Sequence, residues 1–346
     1  MEHLRAKFHD ALGAETNLYV RDGQIFIRGR NWAPEEVIRA ISLEKYEEIF
    51  TEWLDDRKQD LLGRADAFLD EHDQRARFQK LKGAFDRGAV SPFVGAGLSQ
   101  PSGYDDWKGF LKRVQQRTSI PEDDFLQLLS NGNFEEAAQQ LADALGPQFD
   151  ECLANTYATD RSLAGPVQLL PLAFNTMVFT TNFDSVLKRC YENAGMPFSD
   201  TIFGLELEEL RRYSGANEPI LVKLHGKATT ARSRVLTRQE YESTYTSETV
   251  IRDAIECICG RTLLFIGCSL TADRLLNELY RITEARGNAN TTRHYAFLEV
   301  TDDAIEKRLR ESTLASYNIY PIWYPRGEHD DSIEALLYKL TEDTEQ

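Results

Sequence analysis

The sequence predicts an α/β fold: a doubly wound parallel sheet, with a helical subdomain inserted after its first strand and an appendage at the N-terminus. Three observations predict it. From residue 78 onward, short apolar runs alternate with stretches of helical periodicity, as expected of strands covered on both faces by helices. The first run enters the glycine turn Gly95-Ala96-Gly97-Leu98-Ser99. Several later runs also end in small or polar residues rather than in further apolar ones.

Composition narrows the class. The 346 residues allow one large domain with an appendage, or two domains. A net charge of −16 disfavours non-specific binding to a phosphate backbone, which needs a basic face, but leaves room for a local nucleotide site. No stretch is long and apolar enough to span a bilayer, and no signal-peptide pattern opens the chain. Five cysteines without a CxxC pair (Cys152, Cys190, Cys257, Cys259 and Cys268) argue against a disulfide framework and a four-cysteine zinc module. A reducing cytoplasm is expected.

Residues 1–77 form the predicted appendage. A helix over 1–13 precedes a hairpin over 18–27, with Asp22-Gly23 as its type I′ turn pair. Pro34 suits the first turn of a helix carrying Val37, Ile38 and Ile41. Tyr46, Ile49, Phe50 and Leu54 form a second apolar group, and residues 55–77 are charged and helix-prone. An exposed helix is one reading of this region; an oligomerisation or partner-docking element is the other.

The main domain spans 78–346. Leu81, Ala84 and Phe85 form a helix face that stops at Gly88. The glycine turn follows, with Gly95 and Gly97 expected to let the backbone approach a ligand closely. Gln100 stands where the dinucleotide fingerprint has its third glycine. Trp107, Phe110, Leu111 and Val114 share one helix face, on which Trp107 is expected to be a core anchor rather than the alternative, a ligand-stacking ring. Asn133 and Glu136 resemble a capping box opening a helix over 134–145. The inserted helical subdomain covers about 105–170.

Five more strands are predicted: 177–180, 220–224, 262–266, 294–298 and 319–324. Ligands of open parallel sheets bind beyond the carboxyl ends of the strands. Those ends carry the glycine turn with Ser99, then Thr181-Asn182-Phe183-Asp184, then His225-Gly226, then Gly267-Cys268-Ser269-Leu270. Taken alone, Asp184 reads as a helix N-cap, His225 as a core histidine and Gly267 as a turn glycine. Converging on one crevice, they suggest a dinucleotide site with chemistry added. Glu299 and Tyr324 sit at two further strand ends, where either a ligand or a structural role is open.

These four blocks, in this order, resemble the signature blocks of the sirtuins over roughly residues 80–330. The resemblance implies a Rossmann-like NAD site. It assigns NAD contacts to Gly95, Ala96, Gly97, Ser99, Thr181, Gly267 and Ser269. It places Asn182 and Asp184 beside the nicotinamide ribose and makes His225 the general base. Two family features of the protein deacylases are missing. No zinc module of paired cysteines follows the histidine block, since Cys257-Ile258-Cys259 is one residue too tight. Tyr104-Asp105-Asp106-Trp107 stands near the place of the Pro-Asp-Phe-Arg run.

A zinc-free domain carrying Leu236-Thr237-Arg238-Gln239-Glu240-Tyr241 is more similar to the bacterial antiphage branch, whose members typically destroy NAD during infection. That branch often works with a second module or with a partner, such as a nucleotide-binding sensor domain, an Argonaute or a HerA-type translocase ATPase. Only a short helix over 333–340 is expected near the end of the chain, so a separate partner and a homo-oligomer are the expectation.

The implied reaction is hydrolysis of NAD to nicotinamide and ADP-ribose. Nicotinamide leaves from a cationic ring and needs no general acid. Asn182 would hold a water or a ribose hydroxyl, Asp184 would orient the ribose or its loop, and His225, with a reference pKa near ~6.5, would accept a proton. Two other classes compete: a module that senses NAD without turnover, and an NAD-dependent protein deacylase or ADP-ribosyltransferase. A nuclease would need more strand-end acids than Asp184 and Glu299.

Overall fold

The computed structural model describes residues 2–14, 20–21, 23–27, 30–203, 210, 219–231, 234–245, 258–270, 274–287 and 290–342. The chain divides into two compact units, Met1–Asp66 and Ala67–Gln346.

The first unit opens with α1 (Glu2–Ala14) and a small antiparallel sheet of β1 (Val20–Arg21), β2 (Gln24–Ile27) and β3 (Arg30–Trp32). Arg21 pairs with Gln24, the register of the expected hairpin. Gly23 takes the positive φ of 74° that a type I′ turn requires, while Asp22, Leu18 and Tyr19 lie outside the described residues. β3 has no counterpart in the sequence reading, because all three of its residues are exposed and give no apolar alternation. α2 (Pro34–Ile41) starts on Pro34, and α3 (Leu43–Glu71) crosses the division between the units. Leu4, Phe8 and Leu12, one helical turn apart on α1, build a core with Tyr46 and Phe50.

The second unit is organised on a seven-stranded sheet. Its strands are β4 (Val90–Val94), β5 (Met177–Thr180), β6 (Asp200–Phe203), β7 (Ile220–Lys223), β8 (Thr262–Ile266), β9 (His294–Glu299) and β10 (Ile319–Tyr324). The order is β10-β9-β8-β4-β5-β7-β6, and every pair is parallel. The chain leaves β4 on one side for β5, β7 and β6, then crosses to β8, β9 and β10 on the other. The direction of winding reverses at β4, where such sheets open a crevice beyond their carboxyl ends.

Pro92 stands in this central strand without an N–H to give. Accordingly β4 pairs with β5 only from Phe93 on, whereas it pairs with β8 along its whole length. Phe93, Phe179, Val222, Phe265, Ala296, Leu298 and Trp323 build the main core. The edge strand β10 is closed by Gln74. Its side-chain amide accepts from Trp323 N–H (2.8 Å) and donates to Trp323 O (2.6 Å), as a further strand would.

α4 (Arg75–Asp86) buries Phe78, Leu81 and Ala84 and leads into β4. Between β4 and β5 lie α5 (Trp107–Gln115), α6 (Glu122–Ser130), α7 (Phe134–Leu145), α8 (Pro147–Tyr157) and the short α9 (Leu170–Ala173). The expected capping box at α7 does not form. The Asn133 side chain makes no cap bond, and Glu136 instead pairs with Arg238 at 2.9 Å. The later helices are α10 (Val186–Asn193), α11 (Arg238–Tyr245), α12 (Arg274–Arg286), α13 (Ala304–Ser316) and α14 (His329–Thr341). Among the described residues no helix is long and apolar enough to cross a membrane.

Candidate functional site

The loops after β4 and β8 are stitched together. Gly95 N–H donates to Ile266 O and Gly97 N–H to Gly267 O, both at 2.9 Å. A Cβ on Gly95 would stand 2.3 Å from Gly267 O, and one on Gly97 would stand 2.9 Å from the same atom. Gly267 itself has φ +69° and lies against Leu98 N. The sequence reading assigned these glycines to close approach of a ligand. The positions that their side chains would fill face the neighbouring loop instead, so the immediate requirement is loop against loop. Behind the turn come two short 3₁₀ turns, Ala96–Leu98 and Gln100–Ser102, rather than an α-helix, which first appears at Trp107.

The second block is placed by Thr180. Its hydroxyl donates to Val94 O (2.7 Å) and accepts from Asn182 N–H (2.9 Å), tying the end of β4 to the turn after β5. The Asn182 side chain reaches across this seam and donates from Nδ2 to Ser99 Oγ (3.2 Å), while its Oδ1 is buried without a partner among the described residues. Asp184 accepts from the N–H of Val186 (3.0 Å), the first residue of α10, but the N-cap position itself is taken by Ser185, one residue later than the sequence reading placed it. Burial pushes its carboxyl above the usual range, opposed by the Lys223 ammonium and by bonds from Val186 N–H and Ser99. Lys223 is buried as well, donating to Phe183 O (2.9 Å) and Asp184 O (2.8 Å). Burial brings its pKa down to about 8, against the pull of Asp184.

His225 follows β7 and is 5% exposed. Its Nε2 shares a hydrogen bond with Tyr241 Oη (3.0 Å), and its Nδ1 is buried without a partner among the described residues. Trp107, Phe183 and Tyr241 pack their rings around it, with centroids 6.1, 6.5 and 5.7 Å away. Burial in this aromatic cage pushes the imidazole down to about 4. The reference value used in the sequence reading therefore does not describe this ring. It is neutral throughout the physiological range.

A pocket opens beside these residues, lined by Ala96, Asp105, Trp107, Tyr157, Asn182, Phe183 and Asp184. Its two carboxyls are already engaged, Asp105 with the Arg113 guanidinium (2.9 Å) and Asp184 beside the Lys223 ammonium, and its three aromatic rings form the apolar wall. Of the residues singled out from the sequence, Ala96, Asn182 and Asp184 line it, and Ser99 joins the latter two from behind. His225 does not line the pocket; the Trp107 and Phe183 rings that do also pack on it. Thr181 is half-buried outside the pocket lining, and Ser269 is exposed, its carbonyl held by Arg310 (2.6 Å).

Tyr157 and His329 were not singled out in the sequence, whereas Trp107 and Glu299 were. Trp107 is half-buried at the pocket, not a core anchor. Tyr157 comes from α8, its hydroxyl donating to Asp105 O (3.2 Å). His329 faces the glycine turn from the start of α14, with Nδ1 bonded to Tyr324 Oη (2.6 Å) and Nε2 lying 3.2 Å from where a Gly97 Cβ would stand. Glu299, at the end of β9, accepts from Gly327 N–H (2.6 Å). Among the described residues no group of three or more His, Cys, Asp or Glu is arranged to hold a metal ion; Cys257 lies outside them.

The SIR2-like domain family matches residues 176–322, from β5 to β10, which include the Asn182, His225 and Gly267 blocks. That segment of the chain is similar to a SIR2-like domain. Two proteins named NAD(+) hydrolase ThsA are similar to it, one from Cytobacillus dafuensis and one from Acinetobacter baumannii (strain 532279). Each is 23% identical, over 256 and 235 residues respectively. The matches cover 68% of this chain in both cases, and 50% and 47% of the relatives. The chain thus spans about half the length of the relatives that it matches.

Proposed function

We propose that this protein is an NAD+ hydrolase that cleaves the nicotinamide–ribose bond, and that it depletes NAD in antiphage defence. The observation that carries the reading is the pair Asn182 and His225. Each is buried at a strand end of the segment similar to a SIR2-like domain, and each keeps one polar atom unpartnered among the described residues. Buried polar atoms are normally bonded, so each unpaired one calls for an explanation; Asn182 lines the pocket, and His225 lies behind the Trp107 and Phe183 rings that do. The names of the two relatives support the chemistry.

In this reading the pyridinium ring sits against the aromatic faces of Trp107, Tyr157 and Phe183. The bond from ribose C1′ to the ring nitrogen breaks, and its electron pair leaves with neutral nicotinamide. A water oxygen bonds to C1′, and one water proton passes to His225 Nδ1. Asn182 orients the water or a ribose hydroxyl through its amide. Fixing the ribose and shielding the cationic transition state carry the acceleration in this reading, and His225, whose proton affinity burial lowers, takes the water proton as C1′ is attacked. Because His225 is caged by aromatic rings, closure of the substrate onto it involves movement of Phe183 or Trp107.

Control by assembly belongs to the same proposal, through a homo-oligomer or a partner such as a HerA-type ATPase. The first unit exposes Phe26, Trp32, Ile41 and Leu43, side chains of the kind that partners cover. The test is NAD consumption by the purified full chain, with nicotinamide and ADP-ribose quantified beside Asn182→Ala and His225→Ala. Turnover lost in both folded variants supports the roles. Tight NAD binding with no cleavage, with or without the neighbouring gene product, would assign a sensor instead.

A further inference from the structure

We propose that Tyr241 is the positioning residue for His225: it accepts a hydrogen bond from Nε2–H, which fixes the tautomer that leaves the Nδ1 lone pair for a substrate proton. This deepens the hydrolase reading and rests on it for the role of the base and for the choice of tautomer, while the spectrum that tests the tautomer does not depend on turnover.

The geometry is specific. Tyr241 Oη and His225 Nε2 are 3.0 Å apart, both residues are buried, and the rings meet edge to face at 82°. Tyr241 Oη is the hydrogen-bond partner of this imidazole among the described residues, while Nδ1 has none. A neutral imidazole carries one proton, and the bond made by one nitrogen decides which nitrogen holds it. Were the phenol to donate to Nε2, the proton would sit on Nδ1, and the ring would present a donor where hydrolysis needs an acceptor.

The element that carries Tyr241 is built to hold it still. Thr237 and Glu240 form a capping box at the start of α11: Glu240 N–H donates to Thr237 Oγ1 (3.2 Å), and Glu240 Oε2 accepts from Thr237 N–H (3.0 Å) and Leu236 N–H (2.9 Å). The other oxygen of Glu240 accepts from Arg234 Nε (2.8 Å), whose guanidinium also reaches Asp150 (2.6 Å). Gln239 N–H donates to Gln139 Oε1 (3.0 Å), and Arg238 pairs with Glu136 (2.9 Å), so α11 is pinned to α7. Tyr241 is the next residue after these anchors, and its own N–H donates to Thr237 O (2.9 Å), so the backbone from which its ring projects is fixed.

The test uses the full chain labelled with [15N]histidine, the His225 signals being assigned by their loss in His225→Gln. In the wild type Nδ1 is expected to resonate as a pyridine-type nitrogen and Nε2 as a pyrrole-type nitrogen. Tyr241→Phe keeps the ring and removes the hydroxyl; it is expected to mix the tautomers and to lower kcat about tenfold to a hundredfold with KM little changed. A protonated Nδ1 in the wild type overturns the proposal, as does a Tyr241→Phe variant with both tautomer and kcat unchanged. The spectrum needs no turnover. If Tyr241→Phe fails to fold, the wild-type spectrum still decides, and a wild type that leaves NAD intact counts against the hydrolase reading alone.

Discussion

The Asn182 side chain donates from Nδ2 to Ser99 Oγ over 3.2 Å, joining the turn after β5 to the glycine turn after β4. Asn182 is held in place by its main chain, through the bond from N–H to Thr180 Oγ1. Replacing its side chain therefore leaves the turn intact. Asn182→Ala is expected to abolish NAD cleavage while circular dichroism and the urea midpoint stay near wild type. Ser99→Ala removes only the link to Asn182 and Asp184, and about tenfold in kcat/KM is the expected loss, the worth of one oriented hydrogen bond. Equal activity of the Asn182→Ala variant would remove Asn182 from the chemistry.

The contact of the glycine turn with Gly267 makes a stability prediction with its own control. Gly88 has φ +68° and open space around its Cβ position, so Gly88→Ala reports backbone strain alone, about 1–2 kcal/mol. Gly95 has φ −95° and no such strain, yet a Cβ there meets Gly267 backbone at 2.3 Å. Neither strand end can yield, because both are tied into the sheet. Gly95→Ala is expected to lower stability by more than Gly88→Ala, at the upper end of the ~1–3 kcal/mol of overpacked sites or beyond. Urea unfolding of the two variants checks the order.

What the sequence made legible follows the strength of its local signals. Six strands of the main sheet have compact apolar runs, and each was read. β6 was not, because Asp200 and Thr201 are polar and partly exposed and only Ile202 is fully buried. The strand-end blocks could be named from their residue types, but not what surrounds them. Helical periodicity put Trp107 with Phe110, Leu111 and Val114, and periodicity alone does not tell a core wall from a pocket wall. Tyr157 and Tyr241 reach the site through contacts distant in sequence, which leave no local pattern. The depth at which His225 is buried, and hence its low proton affinity, belongs to the packing on it of Trp107, Phe183 and Tyr241, rings from three separate segments.

The buried histidines predict an acid-side loss of stability. His225 and His294 are each pushed down to about 4 by burial, and His294 Nδ1 also accepts from Leu263 N–H (3.1 Å), a bond that protonation there would break. Unfolded, both rings titrate near ~6.5, so between the two values the unfolded chain binds more protons and stability rises with pH. The neutral-ring contribution is complete above about 6.5 and falls as the pH drops toward 4, by roughly 3 kcal/mol per ring over the full window. Asp184, whose carboxyl is raised, acts in the opposite sense. The difference between wild type and a folded His225→Asn variant, in urea midpoints at pH 7.5 and 5, isolates the His225 share; the variant is expected to lose less.

Lys223 holds the carbonyls of Phe183 and Asp184 and offsets the charge of the Asp184 carboxyl. Lys223→Met fills a similar space but leaves two carbonyls without their donor. A loss of about 2–4 kcal/mol is expected, together with weakened NAD cleavage because the pocket wall Asn182–Asp184 loses its support. Differential scanning calorimetry and initial rates on one preparation check both parts.

The central claim is tested most directly by following NAD+ with the full chain by quantitative chromatography, alongside His225→Ala. The account predicts nicotinamide and ADP-ribose in equal amounts as NAD disappears, with neither formed by the folded variant. NAD that is bound but recovered intact, or cleaved equally well without His225, contradicts it.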